Sequence, residues 1–468
     1  MRIRVCFSSR PDYDKVSIAL YLALKEVNPG VEGYFVCNNE FDRKKMIKTV
    51  EKERVYVIST YIKNMWPKLS EQTFRLYESK YSLKSMWSLV YTDRFLVSKD
   101  RHYVFKIVSG LFSFYESLFS TIDVDYYYDE PVSTMQSYVA SIVSEKFKVK
   151  YVAQNPAKGW EDSRHYFVSD PFQYIDGFDN HYLDKEYDLD LEDKMREFLR
   201  DFEEKGKEPS TMKYVKSIPK LDIKWLLAGF FFSCFPKYND KNDYINYRGY
   251  RAFFDRFMFY FRYQIGKKYY SMPSLDRKYV YFPLHYQPEA STLVCASKYE
   301  KQLFYIDSLA KSLPGDTLLY VKEHYALLGS RKLKFYRELK QYPNVILVNP
   351  LVSSRKLIEN AEVVVTLTGS AGWEAMLLRK PVIVSGNVFY ENAPGVLKVQ
   401  DIYMNYIDAI RSWRRPARSD IVKYLCEYYI NSFDGSAYFP AKTNLNRVNM
   451  HEIAISLINY VSSHSELN

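Results

Sequence analysis

The chain opens on a strand–loop–helix rhythm that returns in its second half, and this recurrence limits the fold more than any other feature. RIRVCFS alternates and is apolar, SRPDYD supplies turn residues, and KVSIALYLALKEV has a helical period that stops before Asn28, Pro29 and Gly30. VEGYFVC reads as a second strand, DRKKMIKTVEKE as a polar helix and VYVIST as a third strand. After a mostly helical, aromatic stretch, DVDYYYDEP reads as a strand ending in Asp129 and Glu130. The helix TMQSYVASIVSEKF and the strand VKYVAQN follow it. From Lys278 the same alternation runs through KYVYFPL, TLLYVKEH, NVILVNP, VVVTLT and PVIVSG, with helical segments between them. Strands alternating with helices in this way predict parallel sheets covered on both faces. The expected fold class is therefore α/β, with two Rossmann-like doubly wound domains.

Between the two runs the rhythm breaks. EYDLDLEDKMREFLRDFEEKGKEPS predicts an exposed, charged helix, and KWLLAGFFFSCF is apolar but too short to span a bilayer. RAFFDRFMFYFRYQIGKKYY mixes aromatic and basic residues at helical spacing, which suits either an anionic membrane face or packing between domains; aromatic stripes more often face cores. The expected organisation is an N-terminal domain over 1–170, a helical aromatic-basic linker or insertion over 171–277, a C-terminal domain over 278–415, and helices over 416–468 that pack back on the N-terminal domain. Ligands of such sheets bind at the carboxyl ends of the strands, in a central cleft that the two domains are expected to face.

Composition narrows the function classes. The 66 Lys and Arg outnumber the 56 Asp and Glu, a balance of +10 that suits anionic partners. The charge is spread rather than blocked, which points to a local basic cleft and not to nucleic acid. Five cysteines without C-x-x-C spacing indicate neither a disulfide framework nor a zinc site, as in a reducing compartment. The opening residues lack an apolar signal-peptide core, and no run approaches the length of a spanning helix, so a cytoplasmic protein is expected.

Three elements of the second half can carry chemistry. In VVVTLTGSAGWEAMLLRKPVIVSGNVFY a buried strand ends at Thr368, and Gly369 and Ser370 open a helix whose free amides and dipole attract an anion. Gly369 and Gly372 permit close approach, Thr368 and Ser370 add hydroxyls, and Glu374 lies one turn into the helix, within reach of ribose hydroxyls. The bland alternative is an ordinary turn capped by Ser370. In LLYVKEHYALLG, Lys322, Glu323 and His324 close a strand, where a cation and an imidazole suit a phosphate. In YFPLHYQPEAS, Pro283 and Pro288 bracket His285, Tyr286 and Gln287 in a stiff loop.

Together, FPLHYQPEAS, VKEH and TGSAGWEAMLLRKPVIVSGNVFY resemble the capsule polysaccharide synthesis family, which includes Kdo transferases (Kdo is a 3-deoxy-octulosonic acid). The resemblance covers about residues 279 to 391, and Tyr325 stands where such proteins usually have proline. It implies a metal-independent glycosyltransferase of the GT-B type, with donor-binding roles for His285, Gln287, Lys322, Glu323, His324, Thr368, Gly369, Ser370 and Glu374. It also implies a nucleotide-sugar substrate and no separate cofactor, with a CMP-linked donor favoured and UDP- or GDP-linked sugars left open. The implied partner is a glycan or lipid-linked acceptor, handled in the cytoplasm or at the inner face of the cytoplasmic membrane.

Sugar transfer needs a base for the acceptor hydroxyl or a nucleophilic carboxylate. Asp129 and Glu130, ending a strand before Pro131, are the first candidates; capping of the next helix is the rival reading. Glu161 and Asp162, with Arg164 and His165 in the loop after VKYVAQN, come next. Asp123 and Asp125 form a D-x-D but read as turn residues at the start of a strand, so no metal site is expected. A nucleotide-sugar epimerase of similar architecture and a non-catalytic assembly factor are the alternatives.

Overall fold

A computed structural model describes residues 2–10, 13–205, 239–246, 251–436 and 445–465. The apolar segment KWLLAGFFFSCF lies outside the described residues. The chain divides into two compact units. One is built from Met1–Gly177, Phe232–Gly249 and Asn431–Asn468, the other from Phe178–Phe231 and Tyr250–Ile430. Each holds one doubly wound, Rossmann-like sheet, as the strand–helix rhythm predicts.

The first unit carries strands Ile3–Ser9 (β1), Val31–Cys37 (β2), Val55–Val57 (β3), Tyr126–Asp129 (β4), Lys150–Pro156 (β5) and Arg164–Val168 (β6). A two-residue strand, Phe433–Asp434 (β13), completes a sheet of order β13-β6-β5-β4-β1-β2-β3. β1 to β5 run parallel; at one edge β6 is antiparallel to β5, and β13 is antiparallel to β6. The chain winds outward from β1 through β2 to β3, then crosses back to start again at β4. β1 and β4 are therefore neighbours at the point where strand order reverses, and their carboxyl ends leave a crevice there.

Two local expectations change. VYVIST is a strand only to Val57, because Ile58 already begins the helix Ile58–Met65 and buries its side chain. Arg164 and His165 lie in a strand and not in a loop. The His165 ring is fully buried between Gln154, 2.9 Å from Nε2, and the Gly435 carbonyl, 2.8 Å from Nδ1.

The helix Arg447–Ser465 packs on the first unit's core: Leu457, Tyr460 and Val461 join a buried cluster with Ile3, Val5, Leu24, Val31 and Val152. Among the described residues Cys6, Cys37, Cys295 and Cys426 are buried, and none of them forms a disulfide.

The second unit is wholly parallel: Tyr279–Pro283 (β7), Leu318–Lys322 (β8), Val345–Val348 (β9), Val363–Thr366 (β10), Val382–Val384 (β11) and Val396–Lys398 (β12), in the order β12-β11-β10-β7-β8-β9. Helices cover both faces, so VVVT and VIV are buried at every position, as unbroken apolar runs in parallel sheets require. The reversal falls between β7 and β10.

Leu457→Ala removes methyls from the first unit's core and should cost about 2–5 kcal/mol, read as a lower urea midpoint with the fold retained.

Candidate functional site

At the second unit's reversal point the two strand ends are tied together. The loop after β7 carries His285, 6% exposed, whose Nε2 lies 3.1 Å from the Thr368 amide and 3.1 Å from the Thr366 hydroxyl. An amide can only donate, so Nε2 accepts and the proton of the neutral ring sits on Nδ1. Burial, with the nearby charges of His324 and Arg331, pushes the His285 pKa down to about 3, so the ring stays neutral at any ordinary pH. Nδ1 is buried and has no hydrogen-bond partner.

The turn after β10 is equally constrained. The Gly369 amide donates to Thr366 Oγ1 at 3.0 Å, the Thr368 hydroxyl to the Ser291 carbonyl at 2.9 Å, and the Tyr390 hydroxyl to the Gly369 carbonyl. A Cβ on Gly369 would lie 2.7 Å from Thr366 Oγ1 and 3.2 Å from His285 Nε2, so close approach and not backbone angle requires glycine here. The helix Ser370–Leu377 begins with Gly369 as its cap residue and without any side-chain cap. Ser370 is exposed at its first turn and does not cap it. The backbone amides of an uncapped helix end favour an anion.

β8 brings Lys322 beside it. Lys322 is 4% exposed and donates to Ser354 Oγ at 2.7 Å. Burial lowers its pKa to about 8 against the opposing pull of Glu374, which is itself buried in the Ser370 helix. His324 accepts the Ala326 amide at Nδ1, 3.3 Å, which leaves the proton on Nε2; burial and the Arg331 and Lys322 charges lower its pKa to about 4.

Glu323 and Gln287 have a different place from the one expected. The Glu323 carboxylate is buried and taken by Arg331 Nε at 3.0 Å and the Tyr336 hydroxyl at 2.9 Å. Arg331 also donates to the His285 carbonyl at 2.9 Å and to Gln287 Oε1 at 3.4 Å, and Gln287 donates to the Glu300 carbonyl. Both residues brace the loops that present His285 and His324. Thr366, Tyr390 and Arg331 were not singled out from sequence. A Thr two residues before TGS and an Arg just past VKEH carry no local signature.

In the first unit, the reversal between β1 and β4 gathers Asp129, Glu130 and a residue that the sequence reading passed over, Arg10. Arg10 pairs with Glu130 through Nη1, and its Nη2 lies 3.7 Å from Asp129 Oδ2. Neither carboxylate caps the next helix. Thr134 caps Met135–Lys146 in a reciprocal arrangement with Ser137. The first amides of that helix are already occupied, Met135 by Asp93 Oδ2 at 2.6 Å and Gln136 by the Tyr244 hydroxyl at 2.9 Å.

Glu161 and Asp162 sit apart from this group in the β5–β6 turn. Glu161 accepts the Gly159 amide at 3.1 Å, and Asp162 is exposed. Arg164 is spent on Ser432, at 2.8 Å from Nε, and on Asp434, which fastens β13 to β6. Asp123 and Asp125 pair with Arg4 at the opposite, amino end of the sheet. Among the described residues no group of three His, Cys, Asp or Glu is placed to hold a metal.

Residues 194–431, just over half of the 468, match the model of the capsule polysaccharide biosynthesis protein family. The chain belongs to that family. The match includes the whole β7–β12 sheet and every donor-site candidate. Among solved structures, the chain is similar to the beta Kdo 2,7 transferase of Thermosulfurimonas dismutans KpsC at 15% identity, over 81% of this chain and 97% of that one, with a TM-score of 0.35. It is also similar to the UDP-GlcNAc 2-epimerase of Methanocaldococcus jannaschii at 12% identity, over 92% and 99%, with a TM-score of 0.25. No curated protein matches the sequence.

Burial raises the Asp129 pKa from 3.8 to about 6, with Arg10 opposing. Stability from this group is therefore complete below pH 3.8 and is lost as pH rises through about 6. Asp129→Asn should abolish that loss, worth up to about 3 kcal/mol at ~1.4 kcal/mol per pKa unit. Urea titrations of both proteins across this pH range read it directly. Parallel curves would show Asp129 to be solvated.

Proposed function

We propose that this protein is a glycosyltransferase of capsule or surface polysaccharide synthesis. It moves a sugar from a nucleotide-linked donor, held by the second unit, to a glycan or lipid-linked acceptor. One observation carries the reading. The helices that follow β4 and β10 start at the same topological place, and the Ser370 helix has no side-chain cap. The Met135 helix is filled by Asp93 and Tyr244. A phosphate therefore belongs in the second unit, with the Lys322 ammonium and the unused Nδ1–H of His285 as additional donors.

In this reading the helix amides and Lys322 take up the charge of the departing nucleotide phosphate, so the transfer needs no metal. Asp129 is the carboxylate for the acceptor, as base or as nucleophile. The family's work on polysaccharide, together with CMP as the smallest of the candidate nucleotides, makes a CMP-linked sugar such as CMP-Kdo the first donor to try. Such donors place the reaction in the cytoplasm.

A thermal-shift series with CMP, UDP and GDP tests the donor site. One nucleotide should stabilise the protein selectively, and Ser370→Trp should erase the shift while leaving the melting of the free protein unchanged. Affinity should fall as pH rises through about 8, where Lys322 loses its proton, and Lys322→Met should flatten that dependence. No selective nucleotide would sink the transferase reading. Incubation with donor alone that yields an epimer would move it to epimerisation.

We also assign the second unit a peripheral membrane contact. The helix Arg251–Gly266 exposes Phe257, Met258, Phe261 and Ile265, and Lys267 and Lys268 follow it. No helix among the described residues is long and apolar enough to cross a membrane. Lys267→Gln with Lys268→Gln should weaken co-sedimentation with phosphatidylglycerol vesicles several-fold, at about 1 kcal/mol per lysine. Equal sedimentation of variant and wild type removes the contact.

A further inference from the structure

We propose that Arg10 divides the work of the carboxylate pair in the first unit. One part of its guanidinium immobilises Glu130, and its Nε–Nη2 edge, together with Asp129 Oδ2, takes a hydroxyl of a sugar acceptor.

Arg10 directly follows β1, and Asp129 ends β4, its parallel neighbour, so the topology places both at the reversal crevice. Arg10 is 6% exposed and Asp129 5%. Nη1 is engaged: it donates to Glu130 Oε1 and to Ser133 Oγ at 3.0 Å, and Ser133 Oγ donates to the same Glu130 oxygen at 2.7 Å. Nε and Nη2 have no hydrogen-bond partner, although both are buried. On the carboxylate side, Asp129 Oδ1 accepts the Glu130 amide at 2.8 Å, while Oδ2 is buried without a partner. Leaving such groups unpaired is costly, most of all for charged ones, a cost that a bound ligand would relieve.

The geometry selects the ligand's chemistry. Nη2 and Oδ2 stand 3.7 Å apart, too far to bond one another. One oxygen placed between them, at ordinary hydrogen-bond distance from each, satisfies both. That oxygen must accept from a guanidinium and donate to a carboxylate, which a hydroxyl does and a phosphate or ionised carboxylate does not. Two carboxylates at the site repel an anion, and the adjacent Met135 helix end is already filled. A neutral hydroxyl meets these requirements, and a sugar carries several.

Glu130 has no such opening. Its Oε1 is bonded twice, and although burial raises its pKa, the Arg10 charge together with hydrogen bonds from Ser133 and Tyr13 holds it below the usual range. Glu130 is thus a positioning residue, and Asp129 is the carboxyl left to meet the hydroxyl.

This inference rests on the transferase reading for the word acceptor, but its test does not. Saturation-transfer NMR with a panel of methyl hexopyranosides reads sugar binding, and the nucleotide thermal shift reads the second unit separately. At least one glycoside should be saturated by the wild type. Arg10→Gln and Asp129→Asn should each reduce that signal more than tenfold, Arg10→Lys should restore part of it, and Glu130→Gln should hold within about threefold, because an amide oxygen still accepts from Arg10 and Ser133. An unchanged nucleotide shift shows the variants are folded. Glycoside binding by Arg10→Gln equal to wild type, or by none of the panel to wild type, overturns the proposal. Failure of the nucleotide series alone overturns only the donor reading.

Discussion

The second unit depends on a neutral imidazole bonded to a backbone amide. His285 and Thr368 are far apart in sequence, and their contact closes the gap left where strand order reverses. Because the ring is buried it stays uncharged, and because it accepts at Nε2 its remaining proton is fixed on the other side. Gly369 sits so close to this contact that a methyl group would collide with it. The start of the Ser370 helix is therefore held by contacts from beneath, not by a side-chain cap.

The first unit solves the same topological problem with different chemistry. Its helix end is filled from within by Asp93 and Tyr244, and its crevice is lined by an arginine and two carboxylates. One sheet thus offers backbone donors for negative charge; the other offers a paired donor and acceptor for a neutral polar group.

Much of this was legible in the sequence because parallel strands are buried on both faces and read as unbroken apolar runs. VVVT and VIV could hardly be anything else, and TGSAG marks a strand-to-helix turn where bulk is forbidden. What could not be read are partners distant in sequence. Glu323 looks like a ligand residue in VKEH until Arg331 and Tyr336 are seen to enclose it. Arg10 looks like part of a turn until β4 is laid beside β1. His165 in a predicted loop becomes a buried strand residue because β13, which binds its edge, comes about 270 residues later. Composition has no access to such pairings, and neither does periodicity.

That late edge strand bears on how the chain assembles. The first unit takes material from the start, the middle and the end of the sequence, whereas the second is complete once residue 430 has been made. β6 waits for β13, and the apolar face above β1 and β2 waits for the helix Arg447–Ser465. On a ribosome working from the amino terminus, the half that begins last finishes first. The opening half holds apolar surface uncovered until the helix Arg447–Ser465 has been made.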